Sequence, residues 1–443
     1  MPADLREALK QTLPGIRADL DALIRVPSVS ADSPGEVRRS AELTATLFPG
    51  AEILDDIVGG APAVLARYPA PPGKPTVLLY AHHDVQPPGD LDAWSSPPFE
   101  PRVSGGRLYA RGSADDKAGI AAHLAALRAF GHAPPVGVTV LIEGEEEIGS
   151  PTLGAFLARH RDLLEADAIV LADSENLAPD APAFTTTLRG LAACVIEVRT
   201  LRHGVHSGAS GATPDALSAL CRVLATLHDD NGDAAIEGLA ASTTSADYSE
   251  ERLRSESGIL PGVPLWGTGT VAERFWTKPA VSVLAIDSPA VDGVSNTLQP
   301  MARAKVSLRV APGDDARKAQ AALAEHLRKN APWGVRVKVI DADLAQPHAI
   351  DTAGPIYDAA RRAYGEAYGA PVVEIGSGGA IPLVAEFAAT FPEAAILVTS
   401  PGGDTDSRAH GPDESLDLAG FEKACLAEAL LLAELGAAGV TAP

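Results

Sequence analysis

The sequence is poor in sulfur. Its 443 residues include three cysteines (Cys194, Cys221, Cys425) and two methionines. Three scattered thiols can form neither a disulfide framework nor a thiolate metal cluster, and they fit a reducing cytoplasm. Basic charge is scarce too. The 36 Lys+Arg stand against 58 Asp+Glu, for a formal net charge of −22. That balance lacks the basic footprint nucleic acid requires and disfavours docking on an anionic membrane. No apolar run reaches the roughly 18 residues of a membrane span, so none is expected. The opening Met1–Glu7 lacks the charged-then-apolar pattern of a signal peptide. What remains is a globular composition, 46% hydrophobic, long enough for two or three domains.

Periodicity supplies the elements. Leu5, Leu13, Ile16, Leu20 and Leu23 predict an amphipathic helix over 4–25. Short apolar runs at 76–81, 136–143 and 168–172 read as buried strands, separated by helical patterns at 118–130 and 151–164. That alternation predicts a mostly parallel sheet with helices on both faces. The pattern then changes. Strands at 191–200, 281–286, 303–310 and 335–340, with helices at 214–228 and 316–329, follow the β-α-β-β-α-β order of a ferredoxin-like α+β unit. Helices at 356–368 and 418–435 and a strand at 395–399 resume the first pattern. The expected architecture is therefore a discontinuous α/β domain, residues 1–189 and 350–443, interrupted by a smaller inserted domain, residues 190–349.

Polar residues cluster just after the strands, where open α/β sheets bind ligands. His82 and Asp84 lie two residues apart on an extended segment and so share a side. A histidine with a carboxylate behind it is a metal-site arrangement, although a solvated loop gives the same letters. Asp115 and Asp116 precede the 118–130 helix, where an acidic N-cap and a ligand are both possible. Glu143-Gly144-Glu145-Glu146-Glu147 ends a strand in dense negative charge. It is either a solvated acidic loop or a cation site in which one carboxylate is a ligand and its neighbour a general base. Asp173 and the late loop carrying His410 follow other strands. Together these residues suit two adjacent Zn, Mn or Co ions sharing a bridging carboxylate. A serine-nucleophile elbow is absent, since Ser210 and Ser377 each lack one flanking glycine of Gly-x-Ser-x-Gly. Gly267-Thr268-Gly269 imitates a dinucleotide fingerprint without the preceding strand.

Three segments carry a resemblance: Tyr-Ala-His-His-Asp-Val-Gln-Pro (80–87), Ala-Arg-Gly-Ser-Ala-Asp-Asp-Lys-Ala-Gly (110–119) and Glu-Gly-Glu-Glu-Glu-Ile-Gly-Ser (143–150). The chain resembles the co-catalytic metallopeptidase family of carnosinase, bacterial dipeptidases, aminoacylase, succinyl-diaminopimelate desuccinylase and glutamate carboxypeptidase. It is most similar to the dipeptidase branch. The resemblance implies that His82 and Asp173 hold one metal, Glu147 and His410 the other, and Asp115 both. It makes Asp84 the carboxylate behind His82 and Glu146 the base acting on a metal-bridging water, and implies a cis peptide between Asp115 and Asp116. The inserted domain resembles the family's lid and dimerisation domain. His206, in His-Gly-Val-His-Ser-Gly, would then reach the partner subunit's site and stabilise the oxyanion. Asn296 and Arg309 match substrate-binding positions, Arg309 meeting a substrate carboxylate. Ser377, Gly378 and Gly379 lie in a segment like the family's Gly-rich substrate loop. Two residues depart from carnosinase-like members: Ser377 stands for a Glu and Ala380 for a Ser. The implied activity is amide hydrolysis of dipeptides or short peptides with a free C-terminal carboxylate, by a homodimer using two divalent metals, zinc first. Deacylation of N-acyl amino acids is the alternative, and a non-catalytic metal-binding protein the third reading.

Overall fold

The computed structural model describes residues 2–438 apart from Ser245, Ala380 and Thr405. Two compact units emerge: Met1–Thr186, Ile350–Ile375 and Pro382–Pro443 form the first, Thr187–Ala349 and Gly376–Ile381 the second. The Gly-rich loop thus groups with the second unit.

The first unit begins with helix α1 (Pro2–Ile24), whose Leu5, Leu9, Ile16, Leu20, Leu23 and Ile24 are buried. Strands β1 (Glu52–Leu54), β2 (Ala63–Tyr68) and β3 (Thr76–His82) follow, then helix α2 (Lys117–Ala129), β4 (Gly137–Glu143) and β5 (Ala168–Leu171). The second unit supplies β6 (Gly190–Arg199), α3 (Ala216–Leu224), β7 (Ala280–Asp287), β8 (Met301–Val310), α4 (Ala316–Lys329) and β9 (Arg336–Ala345). The chain then returns to the first unit as α5 (Pro355–Tyr368), α6 (Pro382–Thr390), β10 (Ala395–Val398) and α7 (Leu418–Ala438).

The first unit's sheet has the order β1-β2-β4-β3-β5-β10. Its β4, β3, β5 and β10 run parallel, while β1 and β2 add an antiparallel flank. That flank lies outside the strands read from the sequence: β1 is only three residues long, and the β2 run is broken by exposed Arg67. β3 shows why its sequence is continuously apolar. Val77, Leu79 and Ala81 join the core cluster that includes α1, α2, α5 and α7. Tyr80 sits on the alternate register, and its ring meets Phe387 of α6 edge-on at 5.4 Å. A strand covered on both faces has no solvent side to fill with polar residues.

In the second unit the antiparallel sheet has the order β7-β8-β6-β9. Ala216, Leu220 and Val223 of α3 and Ala319, Leu323 and Leu327 of α4 pack on Ile196, Val198, Val306 and Leu308. Apolar burial of this kind, near 25 cal/mol per Å², is what fixes the helices on the sheet. A helix at Glu250–Ser257 lies between α3 and β7, where the sequence pattern predicts none. It has no apolar stripe, and Ser249 caps its start while Arg252–Glu256 and Arg254–Glu250 pairs lace its surface. Residues 151–164 form two short helices, Leu153–Arg159 and Arg161–Leu164, that share His160 as a cap.

One buried ion pair ties the first unit together. His123 of α2 places Nδ1 2.9 and 2.8 Å from the two Glu428 oxygens of α7, and Nε2 3.0 Å from the Tyr80 carbonyl oxygen of β3. Burial opposes charging the imidazole, but Glu428 outweighs it and holds His123 above its ordinary value. Glu428→Gln should therefore cost about 2 kcal/mol near pH 6, because burial then strips the imidazole of its proton and the charge-assisted hydrogen bond is lost. A group raised on folding contributes fully below its unfolded value, about 6.5, and loses that contribution as pH rises through the folded value. Denaturant melts at pH 6 and pH 9 should show the deficit shrinking at the higher pH; an equal deficit at both would remove the charge from the argument.

Candidate metal centre

Three parallel strands deliver the site. His82 is paired with Glu143 and Tyr80 with Leu171, so β3, β4 and β5 end nearly level. The residues just beyond those ends gather at one edge: Asp84, Glu146, Glu147 and Asp173. Asp115 arrives from the turn that opens α2, and its peptide to Asp116 is cis. His410 comes from the late loop, with left-handed backbone at φ 65°.

The geometry centres on Asp115. One of its oxygens lies 3.0 Å from His82 Nε2 and the other 3.0 Å from His410 Nε2. Asp173 stands 3.9 Å from His82 Nε2, and Glu147 3.1 Å from His410 Nε2. His82 thus meets one Asp115 oxygen and His410 the other, with Asp173 beside His82 and Glu147 beside His410. On its far side the His82 ring places Nδ1 3.1 Å from the Asp84 carbonyl oxygen and 3.4 Å from its carboxylate. The Asp84 carboxylate also accepts the backbone N–H groups of Glu146 and Glu147, at 3.2 and 3.1 Å. One buried carboxylate therefore fixes a ring and aims two neighbouring acids.

The four glutamates of the acidic segment separate by role. Glu143 accepts the Tyr80 hydroxyl at 2.6 Å, deep in the core. Glu145 accepts the Thr152 backbone and hydroxyl and the Ala61 N–H. Glu146 and Glu147 open a single 3₁₀ turn, Glu146–Ile148, which presents both to the site. His83, beside the proposed ligand, is buried and places Nε2 2.9 Å from the Pro62 carbonyl oxygen. Burial pulls it down to about 4, so it is a neutral packing group.

Electrostatics identify what the site needs. Burial, then the Asp173 charge, pushes Glu146 up to about 9. Burial, with Asp115 and Glu147 adding like charge, pushes Asp173 up to about 7. Hydrogen bonds to Asp115 and Glu147 raise His410 to about 10. Acids that resist ionising beside imidazoles that hold protons signal a shortage of positive charge. Imidazole and carboxylate donors without thiolate fit divalent Zn, Mn or Co. Ligand atoms of His82, Asp115 and Glu147 lie within 4.8 Å of one another, as do those of His82, Asp116 and Asp173.

Sequence reasoning passed over Glu414 and Arg111 here and left Asp116 open between N-cap and ligand. Glu414 is fully buried and accepts the backbone N–H groups of Gly112, Ala114 and Asp115, at 3.0, 2.9 and 3.1 Å. Buried Arg111 donates to the same carboxylate at 2.6 Å. Glu414 thereby fixes the loop that presents Asp115. Asp116, at the N-cap position of α2, makes no capping bond and instead accepts the His82 N–H at 3.2 Å. A Cβ on Gly119 would come within 2.6 Å of that carboxylate, which explains the glycine one turn into the helix. The only sequence signal for Glu414 is its place in the acidic run Asp413-Glu414 after His410.

The remaining expected residues belong to the second unit. His206 pairs with Thr297 in a short two-stranded ladder, and the Asn296 carbonyl accepts the Ser207 N–H at 2.8 Å. These contacts bring the His206 and Asn296 segments together. His206 is exposed, and its Nδ1 accepts the Gly208 N–H at 3.0 Å, which leaves Nε2 as the outward donor. Arg309 lies on β8, opposite Leu191 of β6. Ser377 accepts the Gly379 N–H at 3.2 Å. The glycines of this loop answer to contact: a Cβ on Gly376 would lie 2.5 Å from Trp276, and one on Gly378 2.9 Å from Phe275. Ala380 lies outside the described residues.

Known proteins share this organisation. Residues 78–434 match the model of the peptidase family M20/M25/M40. A cysteinylglycine-S-conjugate dipeptidase of Corynebacterium striatum is 35% identical, covering 82% of this chain and 81% of the relative. A β-Ala-His dipeptidase of Rattus norvegicus is 26% identical, covering 92% and 86%. Among solved structures, the dipeptidase Dug1p of Saccharomyces cerevisiae superposes with a TM-score of 0.81 at 22% identity, covering 99% of each chain. Human carnosine dipeptidase 1 gives 0.77 at 22% identity, covering 99% of this chain and all of the other. With two histidines and a shared aspartate at the end of a parallel sheet, and a family match spanning most of its length, this chain belongs to the M20/M25/M40 peptidase family.

Proposed function

We propose that this protein hydrolyses dipeptides bearing a free C-terminal carboxylate. The reading is carried by Asp115, whose two oxygens meet His82 and His410 separately, as a carboxylate shared by two cations requires. Two divalent ions, zinc first by the donor set, would be held by His82, Asp115 and Asp173 and by Asp115, Glu147 and His410; when bound they polarise a carbonyl and acidify water. Glu146 takes the proton from the attacking water and delivers it to the departing amine. Asp84 holds the Glu146 backbone and the His82 ring while this happens. His206 donates to the oxygen that becomes negative in the tetrahedral stage. Arg309 receives the substrate carboxylate, a match for its planar fork, and Asn296 and the Ser377–Gly379 loop line the substrate. Both named dipeptidase relatives support the substrate class. Deacylation of N-acyl amino acids remains the second reading because Ser377, unlike a glutamate, offers a substrate ammonium no carboxylate.

In this reading residues 1–189 and 350–443 are the catalytic domain, and residues 190–349 a lid that dimerises. Strand β7 supports the dimer. It is an edge strand of its sheet, and Val283, Leu284 and Ile286 on it are exposed. Bare apolar edges invite pairing with a second chain. Three free cysteines fit a cytoplasmic setting.

A panel of dipeptides and N-acyl amino acids, read by mass spectrometry with metal analysis alongside, tests the reaction. The metal-loaded protein should cleave the dipeptides and carry two metals per chain. Glu146→Gln should keep both metals and lose about 10³-fold in turnover. A panel in which only N-acyl amino acids are cleaved would replace the first reading with the second.

His206→Ala should lower kcat by about 10²-fold or more and change KM little, since its contact forms only as charge develops. A change in KM alone would remove it from the chemistry.

Leu284→Asp should move the protein from dimer to monomer in sedimentation velocity. A wild-type protein that sediments as a monomer would end the dimer proposal.

A further inference from the structure

Arg189 has no role in the reading above, and its surroundings are unusual for an arginine. It sits at the junction of the Gly-rich loop and the sheet of the second unit, immediately before β6, with 6% of its surface exposed. Buried arginines ordinarily meet a carboxylate. This one meets backbone carbonyls instead. Its Nε donates to the Gly378 oxygen at 3.1 Å, and Nη1 to the oxygens of Arg274 and Lys278, both at 3.4 Å. Nη2 has no acceptor among the described residues, yet it would lie 3.2 Å from a Cβ on Gly378. That nitrogen therefore lies against the loop.

A second cation lies on the adjoining strand. Arg309 stands opposite Leu191 on the adjoining strand, two residues from Arg189 in the ladder. Burial, then Arg309, draws Arg189 down to about 10. Among the described residues no acid pairs with either arginine. Two arginines two residues apart in one ladder, neither paired with an acid among the described residues, form a site that lacks its counter-charge. The anion that fits is planar and monovalent, held by the Arg309 fork within the positive potential of both.

We propose that Arg189 is a specificity-determining positioning residue, which joins Arg309 in a two-arginine subsite for a substrate carboxylate and fixes the Gly-rich loop through the Gly378 carbonyl. The inference rests on the dipeptidase reading for its substrate, but the subsite itself is a property of the second unit. Arg309 is the direct partner of the carboxylate. Arg189 sets the position of the loop and the local positive potential. Glycine at 378 follows, because a side chain there would press on both Arg189 and Phe275.

The test uses the metal-loaded protein and two probes without a peptide bond, glycine and glycinamide, which differ in the carboxylate. Calorimetry should show wild type preferring glycine by about tenfold or more, the scale of a hydrogen bond to a charged group. Arg189→Met should reduce that preference to less than about threefold, and Arg189→Lys should restore part of it. With glycylglycine as substrate, Arg189→Met should raise KM by about tenfold while kcat changes far less. Thermal melts separate folding from recognition, and Arg189→Lys serves if the methionine variant does not fold. The proposal is overturned if wild type shows no carboxylate preference. It is equally overturned if Arg189→Met retains the preference, or if the lysine variant restores the melt without restoring the preference. A wild type that prefers glycine but cleaves no dipeptide would defeat the dipeptidase reading and leave the subsite standing.

Discussion

Too much negative charge in one place is the constraint from which the first unit is built. Asp115, Glu146, Glu147 and Asp173 converge at the end of three parallel strands, with Asp84 and Asp116 directly behind them. No arrangement of backbone dipoles would neutralise that many carboxylates. The fold instead spreads them around two imidazoles and anchors each to something rigid. Asp84 is held by backbone donors, Asp115 by a loop clamped on Glu414, and His82 by the end of a fully buried strand. Anchored in this way, the acids are preorganised for cations.

Much of this was legible in the sequence, and the reasons are local. β3, β4 and β5 are buried on both faces, so each reads as an uninterrupted apolar run, and the polar residues after each run mark the sheet edge. The ferredoxin-like order of the inserted unit was legible because α3 and α4 carry stripes at helical spacing. What escaped depended on distant partners. Spacing alone does not say which of Asp115 and Asp116 faces the histidines, because the turn between them decides it. Nor does it separate Glu143 and Glu145, bound to Tyr80 and Thr152, from Glu146 and Glu147. Glu414 has no periodic or motif signature, since its function is to accept hydrogen bonds from residues about 300 positions earlier.

The second unit follows a different logic. Its Gly-rich loop is not glycine-rich for flexibility. Gly376 and Gly378 let the backbone approach Trp276, Phe275 and Arg189 more closely than a side chain permits. Its polar helix at Glu250–Ser257 stands on capping and charge pairs rather than an apolar face, which is why hydrophobic periodicity overlooks it.

The clamp at Glu414 also has a consequence in time. Asp115 and His82 leave the ribosome early, whereas His410 and Glu414 are synthesised some 300 residues later, after the whole inserted unit. A nascent chain shorter than 410 residues holds the early acids and one imidazole but neither the second imidazole nor the acceptor that shapes the Asp115 loop. The centre therefore cannot assemble before that segment has been made. It is completed only when the segment carrying His410 and Glu414 packs onto the Asp115 loop, so the site forms after the inserted unit has been synthesised.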